Sequence, residues 1–88
     1  VLWGCGKKGK KLAKILIENK IQFRWVCENK NKISHEIYGI TIESTTIISD
    51  KNTQQVIIAI SNPKHQQEVT LRLEEIGFLR NKDYYSFC

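Results

Sequence analysis

The feature that most constrains the fold of this chain is a glycine pattern near its amino terminus. Gly4, Gly6 and Gly9 form a GxGxxG sequence between a short apolar stretch, residues 1–3, and a segment with helical periodicity. In that context the pattern predicts a tight turn at Gly4, close approach of the backbone to a pyrophosphate at Gly6 and close helix packing at Gly9. The amides that begin the helix attract anions. We therefore expect a phosphate-binding loop at residues 4–9.

The remainder of the chain alternates strand and helix signals. The expected elements are strand 1–3, helix 8–19, strand 22–27, strand 38–43, a short helix 44–52, strand 55–61, a helix from Asn62 to about Gly77, and strand 83–88. The apolar run 56–60 is typical of a strand buried on both faces of a parallel sheet. Strand, helix, strand succession requires parallel pairing with a right-handed crossover. We expect a single α/β domain over residues 1–88, a Rossmann-like three-layer fold with about five parallel strands in the order 3-2-1-4-5.

Length and apolar patterning limit what else the chain contains. Its 88 residues allow one core, and we interpret the absence of Met and the apolar start at Val1 as signs of a fragment of a larger protein. The longest apolar run, residues 56–60, is far shorter than the roughly 20 residues that a bilayer requires, so no membrane insertion is expected. Three scattered cysteines, Cys5, Cys27 and Cys88, predict neither a disulfide framework nor a zinc site and fit a reducing cytoplasm.

The net charge of +5 is concentrated in one part of the sequence. Basic residues can release counterions from a nucleic-acid backbone. Here, however, the close cluster falls in the first loop and helix, and the other basic residues are spread out. The cluster is Lys7, Lys8, Lys10, Lys11 and Lys14. We expect a solvated basic face or a local contribution to phosphate binding, and no nucleic-acid partner.

Two further positions extend the predicted site. Glu28 ends the second strand, where an acid accepts hydrogen bonds from ribose hydroxyls; Lys30 and Lys32 nearby leave the preference about a 2′-phosphate open. The alternative for Glu28 is a surface carboxylate among lysines. Ser61 and Asn62 follow the central strand, where ligands of such sheets sit, and the alternative for Asn62 is a helix cap. The candidate binding residues are Gly4, Cys5, Gly6, Lys7, Lys8, Gly9, Glu28, Ser61 and Asn62.

The remaining chemically active side chains give weaker signals. Cys5 lies beside a helix start, which can lower a thiol pKa, and Cys27 could approach it; we expect both to be small buried hydrophobic residues. His35 and His65 have no ligand partner at metal-binding spacing, so we expect solvated or capping roles and no metal. No tyrosine is followed by a lysine four residues later, and no other catalytic set is visible.

Four stretches together carry a resemblance to a known family. They are VLWGCGKKGKKLAKIL, WVCENKNKISHEIYGITI, VIIAISNPKHQQEV and DYYSFC. They resemble the small Rossmann-like domain attached to the C-terminal side of some bacterial family-2 glycosyltransferases. They are also similar to the nucleotide-binding domains of sugar acetyltransferases and nucleotide-sugar dehydratases of surface-polysaccharide synthesis.

The resemblance implies a non-catalytic accessory domain that binds NAD(H) or a nucleotide-sugar and serves a parent catalytic domain. Gly4, Gly6 and Gly9 match the family's phosphate loop, Glu28 its strand-two acid, and Asn62 the start of its later helix. Many relatives have Asp at the position of Glu28, which leaves the ligand's identity open.

A different class of function is expected if the ligand has been lost. A sheet of this size should leave an edge and apolar helix surface uncovered, and these could be buried in a homodimer or against the parent domain. The alternative is therefore a structural or interaction module that keeps the glycine loop only as a turn.

Overall fold

The structure is a computed structural model that describes residues 1–49 and 54–87, and over these residues the fold is a mixed α/β domain. Its elements are β1 (Leu2–Trp3), α1 (Lys7–Glu18), β2 (Trp25–Cys27), β3 (Glu36–Ile37), β4 (Ile40–Ser44), a 3₁₀ turn (Thr45–Ile47), β5 (Val56–Ile58), α2 (Pro63–Glu75) and β6 (Tyr84–Ser86). The end of the expected helix 44–52 and Cys88 lie outside the described residues. β5 and β6 are shorter than predicted at both ends, β1 and β2 begin later than predicted, and β4 both begins and ends later.

The described strands form a six-stranded sheet in the order β3-β4-β2-β1-β5-β6. Pairing is parallel from β4 through β6, whereas β3 pairs with β4 in the antiparallel direction. The predicted order and number of strands are therefore wrong at one edge, where β3 occupies Glu36–Ile37, residues for which no strand was predicted. The two-residue turn between β3 and β4 explains the difference. Tyr38 and Gly39 both have positive φ, 54° and 80°, as the tightest hairpin turns require, but Tyr-Gly lacks the usual Asn-Gly signal.

The core lies on both faces of the sheet because successive strand residues point in opposite directions. Trp3 on β1 packs in one buried cluster with Val69 and Leu73 of α2. Leu2, its neighbour, packs in a second cluster with Leu12 of α1. The two helices therefore cover opposite faces, and both begin at the edge of the sheet where the parallel strands end.

The helix termini follow local sequence signals. Asn62 caps α2 as predicted, because its Oδ1 accepts hydrogen bonds from the amides of Lys64 and His65 at 3.0 and 3.3 Å. Pro63 is the first helical residue, and Gly77 follows the helix end with a φ of 94°. Among the described residues, neither helix is long and apolar enough to cross a membrane.

The segment after β4 is a shorter helix than expected. Ser44 caps it, with its Oγ accepting from the amide of Thr46 at 3.3 Å, but the described helical turn covers only Thr45–Ile47. β-Branched residues such as this threonine pair have low helix propensity, which favours a single tight turn. Ile48 then enters the buried cluster beneath α2.

Candidate functional site

A cavity of about 410 Å³ opens at the carboxyl ends of β1, β2 and β5. Its walls include eight of the nine predicted site residues, namely Gly4, Cys5, Gly6, Lys7, Lys8, Glu28, Ser61 and Asn62. Gly9 is buried behind the loop. Folding thus brings together three sequence segments, and the cavity lies where strand order reverses between β1 and β5, as ligand sites do in sheets of this kind.

A larger hollow of about 890 Å³ lies at the opposite end of the sheet. Ile17, Ile21 and Phe23 are among its walls, and Ile21 is about half exposed. Among the described residues, neither a helix amino terminus nor a glycine loop borders this hollow, whereas both border the smaller cavity. We therefore assign the candidate site to the carboxyl-end cavity.

Two of the three motif glycines are required by the fold itself. Gly4 has a φ of 125°, and a Cβ there would overlap the carbonyl oxygen of Ala59 and lie 3.1 Å from its carbonyl carbon. A Cβ on Gly9 would overlap the carbonyl oxygen of Gly4 and lie 2.6 Å from the carbonyl carbon. The loop is therefore held tightly between β5 and α1, as the predicted roles of Gly4 and Gly9 require.

Gly6 differs from both, because the described fold gives no reason for a glycine there. Its φ is −81° and ψ −161°, which any residue adopts, and no atom lies within 4 Å of a Cβ placed on it. Gly6 lines the cavity at the amino terminus of α1. A side chain at this position would enter open space.

Buried Trp25 holds the loop from the neighbouring strand. Its indole Nε1 donates a 2.6 Å hydrogen bond to the carbonyl oxygen of Gly4. The amide of Gly4 donates in turn to the carbonyl of Val26 at 3.0 Å. The sequence analysis treated Trp25 only as an apolar strand residue, and strand periodicity contains no signal for the hydrogen bond.

The loop is surrounded by positive charge and open amides. Helix α1 begins after Gly6 without a side-chain cap and without an acid in its first turn, so its leading amides have no partner within the helix. Lys7 and Lys8 stand at that start. Lys32 extends from the segment after β2 and donates from Nζ to the carbonyl oxygen of Cys5 at 3.2 Å. Three ammonium groups and the positive end of the helix dipole thus border one cavity.

The two cysteines of the cavity are buried and face each other. Burial, followed by a hydrogen bond with the Cys27 thiol, raises the pKa of Cys5 from 9.0 to about 12. Lys32 and Lys10 lower it by less. The sequence expectation that both thiols are buried is confirmed. Cys5 is consequently protonated near neutral pH and contributes polarity and bulk to the cavity wall.

Glu28 contacts α2 across the mouth of the cavity. Its Oε2 lies 3.0 Å from Nε2 of His65, and its Oε1 lies 3.8 Å from a guanidinium nitrogen of Arg72. The His65 side chain is 38% exposed, in line with the solvated role expected for it, but its ring also pairs with Glu28 and lines the cavity, which was not predicted. The pairing joins residues 37 positions apart in the chain, a separation that local patterns do not encode.

The remaining wall residues differ in their hydrogen bonding and exposure. The Asn62 side chain is engaged in its cap, whereas Ser61 is exposed at the rim. Trp3 is 2% exposed, and its Nε1 is a buried donor without a hydrogen-bond partner among the described residues. The Arg72 guanidinium carbon lies 5.8 Å from the centroid of the Trp3 ring.

Within residues 1–49 and 54–87, no group of three or more metal-binding side chains is found.

The fold and the cavity together define a class: a small α/β domain with a glycine-rich strand-to-helix loop that faces an open, positively charged cavity. No family model, curated protein or solved structure matches the chain. The function is therefore inferred from the cavity's own geometry.

Proposed function

We propose that the chain is a Rossmann-like nucleotide-binding accessory domain, in which the loop of residues 4–9 binds the phosphates of a dinucleotide or a nucleotide-sugar. The observation that carries the proposal is the contrast among the motif glycines. Gly4 and Gly9 are required by packing, whereas Gly6 meets no protein atom within 4 Å and needs no unusual backbone angle. A glycine at this position is explained by a ligand that approaches the backbone closely.

The surroundings of Gly6 suit a phosphate group. Uncapped amides and the positive end of the α1 dipole favour an anion, and Lys7, Lys8 and Lys32 add charge. The cavity of about 410 Å³ lies within the usual range for small-molecule sites. Together these features support an anionic ligand with a group of nucleotide size.

Glu28 remains able to accept from a ribose in this proposal. An ionised carboxylate offers about four acceptor positions, and His65 and Arg72 approach one oxygen each. A ribose hydroxyl can therefore share Glu28 with the two basic residues. NAD(H) and nucleotide-sugars both carry such a hydroxyl next to a diphosphate.

The proposal assigns no catalytic step to this domain. Cys5 is the nucleophile nearest the loop, and its raised pKa keeps it protonated. On the resemblance described above, we further propose that the domain serves a glycan-building enzyme, a glycosyltransferase, in the bacterial cytoplasm.

Replacement of Gly6 by valine tests the proposal. The melting temperature of the 88-residue chain is measured with and without NAD, NADP, nucleoside diphosphates and nucleotide-sugars, because a ligand that binds only the folded state raises it. We expect one ligand class to raise the melting temperature of the original chain, and Gly6→Val to abolish that rise. Gln22→Val, at the opposite end of the sheet, is the matched control. Equal ligand shifts in the original chain and Gly6→Val would contradict the proposal.

One observation favours a second function. Leu71 and Leu79 are 55% and 52% exposed, and Tyr85 on β6 is 38% exposed. β6 is an edge strand, which can pair with another chain. The alternative is an interaction module that docks through this side, as a homodimer or on a parent domain. Sedimentation of the 88-residue chain over a range of concentrations tests the homodimer, and Leu79→Glu should shift any dimer to monomer.

A further inference from the structure

A second hollow continues the candidate cavity along α1. It measures about 550 Å³ and shares Lys7, Lys8 and Ser61 with the cavity. Its other walls are Lys10, Lys11, Lys14 and Tyr38. We call this hollow the lysine groove. Because the two hollows share walls, an extended ligand held at the glycine loop can pass from one to the other.

The lysines of the groove carry charge that the fold leaves uncompensated. Among the described residues, the ion pairs join Arg24 to Glu43 and both His65 and Arg72 to Glu28, so none includes a groove lysine. Lysines three and four residues apart on a helix repel each other. Cations in the first turns also oppose the helix dipole, and α1 has no acid in its first turn. The free helix is thus destabilised by charges that a bound polyanion would neutralise.

The far end of the groove is structurally coupled to the loop. The Lys14 ammonium lies 5.4 Å from the centroid of the Tyr38 ring. Tyr38 stacks on Trp25, with ring centroids 6.3 Å apart, and Trp25 donates to the carbonyl of Gly4. Two aromatic side chains therefore connect Lys14 to the glycine loop.

We propose that the ligand of this domain carries a linear chain of more than two phosphates, which begins at the glycine loop and continues over Lys10, Lys11 and Lys14. The inference rests on the phosphate-binding role proposed for the glycine loop, and its ligand, a nucleoside triphosphate or a longer oligophosphate, differs from the diphosphate-containing ligands considered above. Helix rise places Lys11 about 6 Å and Lys14 about 10 Å beyond Lys7 along the axis. Successive phosphates therefore meet successive lysines.

Titration with oligophosphates of increasing length tests the inference. Inorganic pyrophosphate, tripolyphosphate, ADP, ATP and adenosine tetraphosphate are titrated at one ionic strength into the original chain and into Lys10→Gln/Lys11→Gln/Lys14→Gln. Lys20→Gln/Arg80→Gln/Lys82→Gln is the control, because it removes the same charge away from the groove. We expect affinity to rise about tenfold from ADP to adenosine tetraphosphate in the original chain and the control. In the groove variant that rise should be lost, with pyrophosphate affinity nearly unchanged.

The other outcomes are separable. Equal loss of the length dependence in both triple variants, or its retention in the groove variant, would overturn the inference and leave the loop proposal intact. If Gly6→Val abolishes pyrophosphate binding but affinity does not depend on the length of the phosphate chain, the inference is likewise overturned and the loop proposal stands. Absence of binding by every phosphate compound would overturn the proposed function and this inference together.

Discussion

At the residue scale, Gly9 is a position where the fold leaves no room for a single added carbon. Its Cβ would overlap the carbonyl of Gly4, which is itself held by Trp25. We predict that Gly9→Ala lowers the free energy of unfolding by about 1–3 kcal/mol, because the helix or the loop must shift. Urea denaturation followed by circular dichroism measures the change.

Gly6→Ala is the matched control for this substitution. No atom lies within 4 Å of its Cβ, so only a small effect from its position before the helix is expected. Equal losses of stability in the two variants would show that the tight packing of α1 against the loop is not the cause.

Cys5 provides a second prediction at this scale. With its pKa raised to about 12, only about one thiol in ten thousand is ionised near pH 8. Iodoacetamide should therefore modify Cys5 far more slowly in the folded chain than in urea, as mass spectrometry of labelled peptides can determine. Rapid labelling of the folded chain would show that the helix terminus activates this thiol after all.

The sequence predicted features formed by residues close together in the chain. It did not predict contacts between residues far apart in the chain. The glycine loop was predictable because its turn, its helix start and its spacing occur within six consecutive residues. His65 was not, because its partner Glu28 is 37 positions away. The hydrogen bond from Trp25 to Gly4 likewise exists only once β1 and β2 are paired.

At the scale of elements, the start of α2 depends on one side chain. Asn62 accepts from the amides of Lys64 and His65, and His65 is the residue that meets Glu28. We predict that Asn62→Ala lowers the free energy of unfolding by about 1 kcal/mol, whereas Asn62→Asp retains most of it. Thermal unfolding of the three chains compares them. If Asn62→Ala leaves stability unchanged, the cap is not what holds this helix start.

The β3–β4 hairpin shows why the edge of the sheet escaped prediction. Both of its turn residues have positive φ, and the first is a tyrosine. Tyr38 is explained by its tertiary contacts, the stacking on Trp25 and the ammonium of Lys14, rather than by turn preference. Sequence rules predict elements whose residues suit them locally, and here a packing role outweighed the local rule.

At the scale of the whole molecule, one ion pair links two strands of the sheet and makes stability depend on pH. Arg24, just before β2, donates from Nε and a terminal nitrogen to Glu43 of β4 at 3.0 and 2.5 Å. These hydrogen bonds hold the pKa of Glu43 below its usual value of 4.5. The ionised pair therefore stabilises the fold above that value, and its contribution is lost as the pH falls through the lower pKa of the folded state.

We predict that Glu43→Gln flattens the decline of melting temperature with acid below about pH 4.5. Melting temperatures between about pH 3 and pH 7 measure it, and added salt should weaken the difference because the pair is partly exposed. Glu68→Gln, an exposed carboxylate on α2, serves as the control. Identical acid profiles for the original chain and Glu43→Gln would exclude this pair as a source of acid sensitivity.

The α/β class of the molecule was readable from periodicity, since apolar runs and helical stripes fix which faces are buried. The order of the five parallel strands was predictable from the sequence. The antiparallel edge strand β3 was not, because the turn that joins it to β4 has no sequence signal. The site at the carboxyl edge followed from topology, whereas the lysine groove required the positions of Tyr38 and Ser61 relative to α1.

Both tryptophans of the chain belong to the loop's surroundings, Trp3 in the cavity wall and Trp25 bonded to the Gly4 carbonyl. All indole emission of the protein therefore originates at the candidate site. A ligand that pairs with the free indole donor or displaces the loop alters that emission, and Trp25→Phe separates the two contributions. Intrinsic tryptophan fluorescence of the unlabelled protein can therefore be used to titrate ligand binding at the loop.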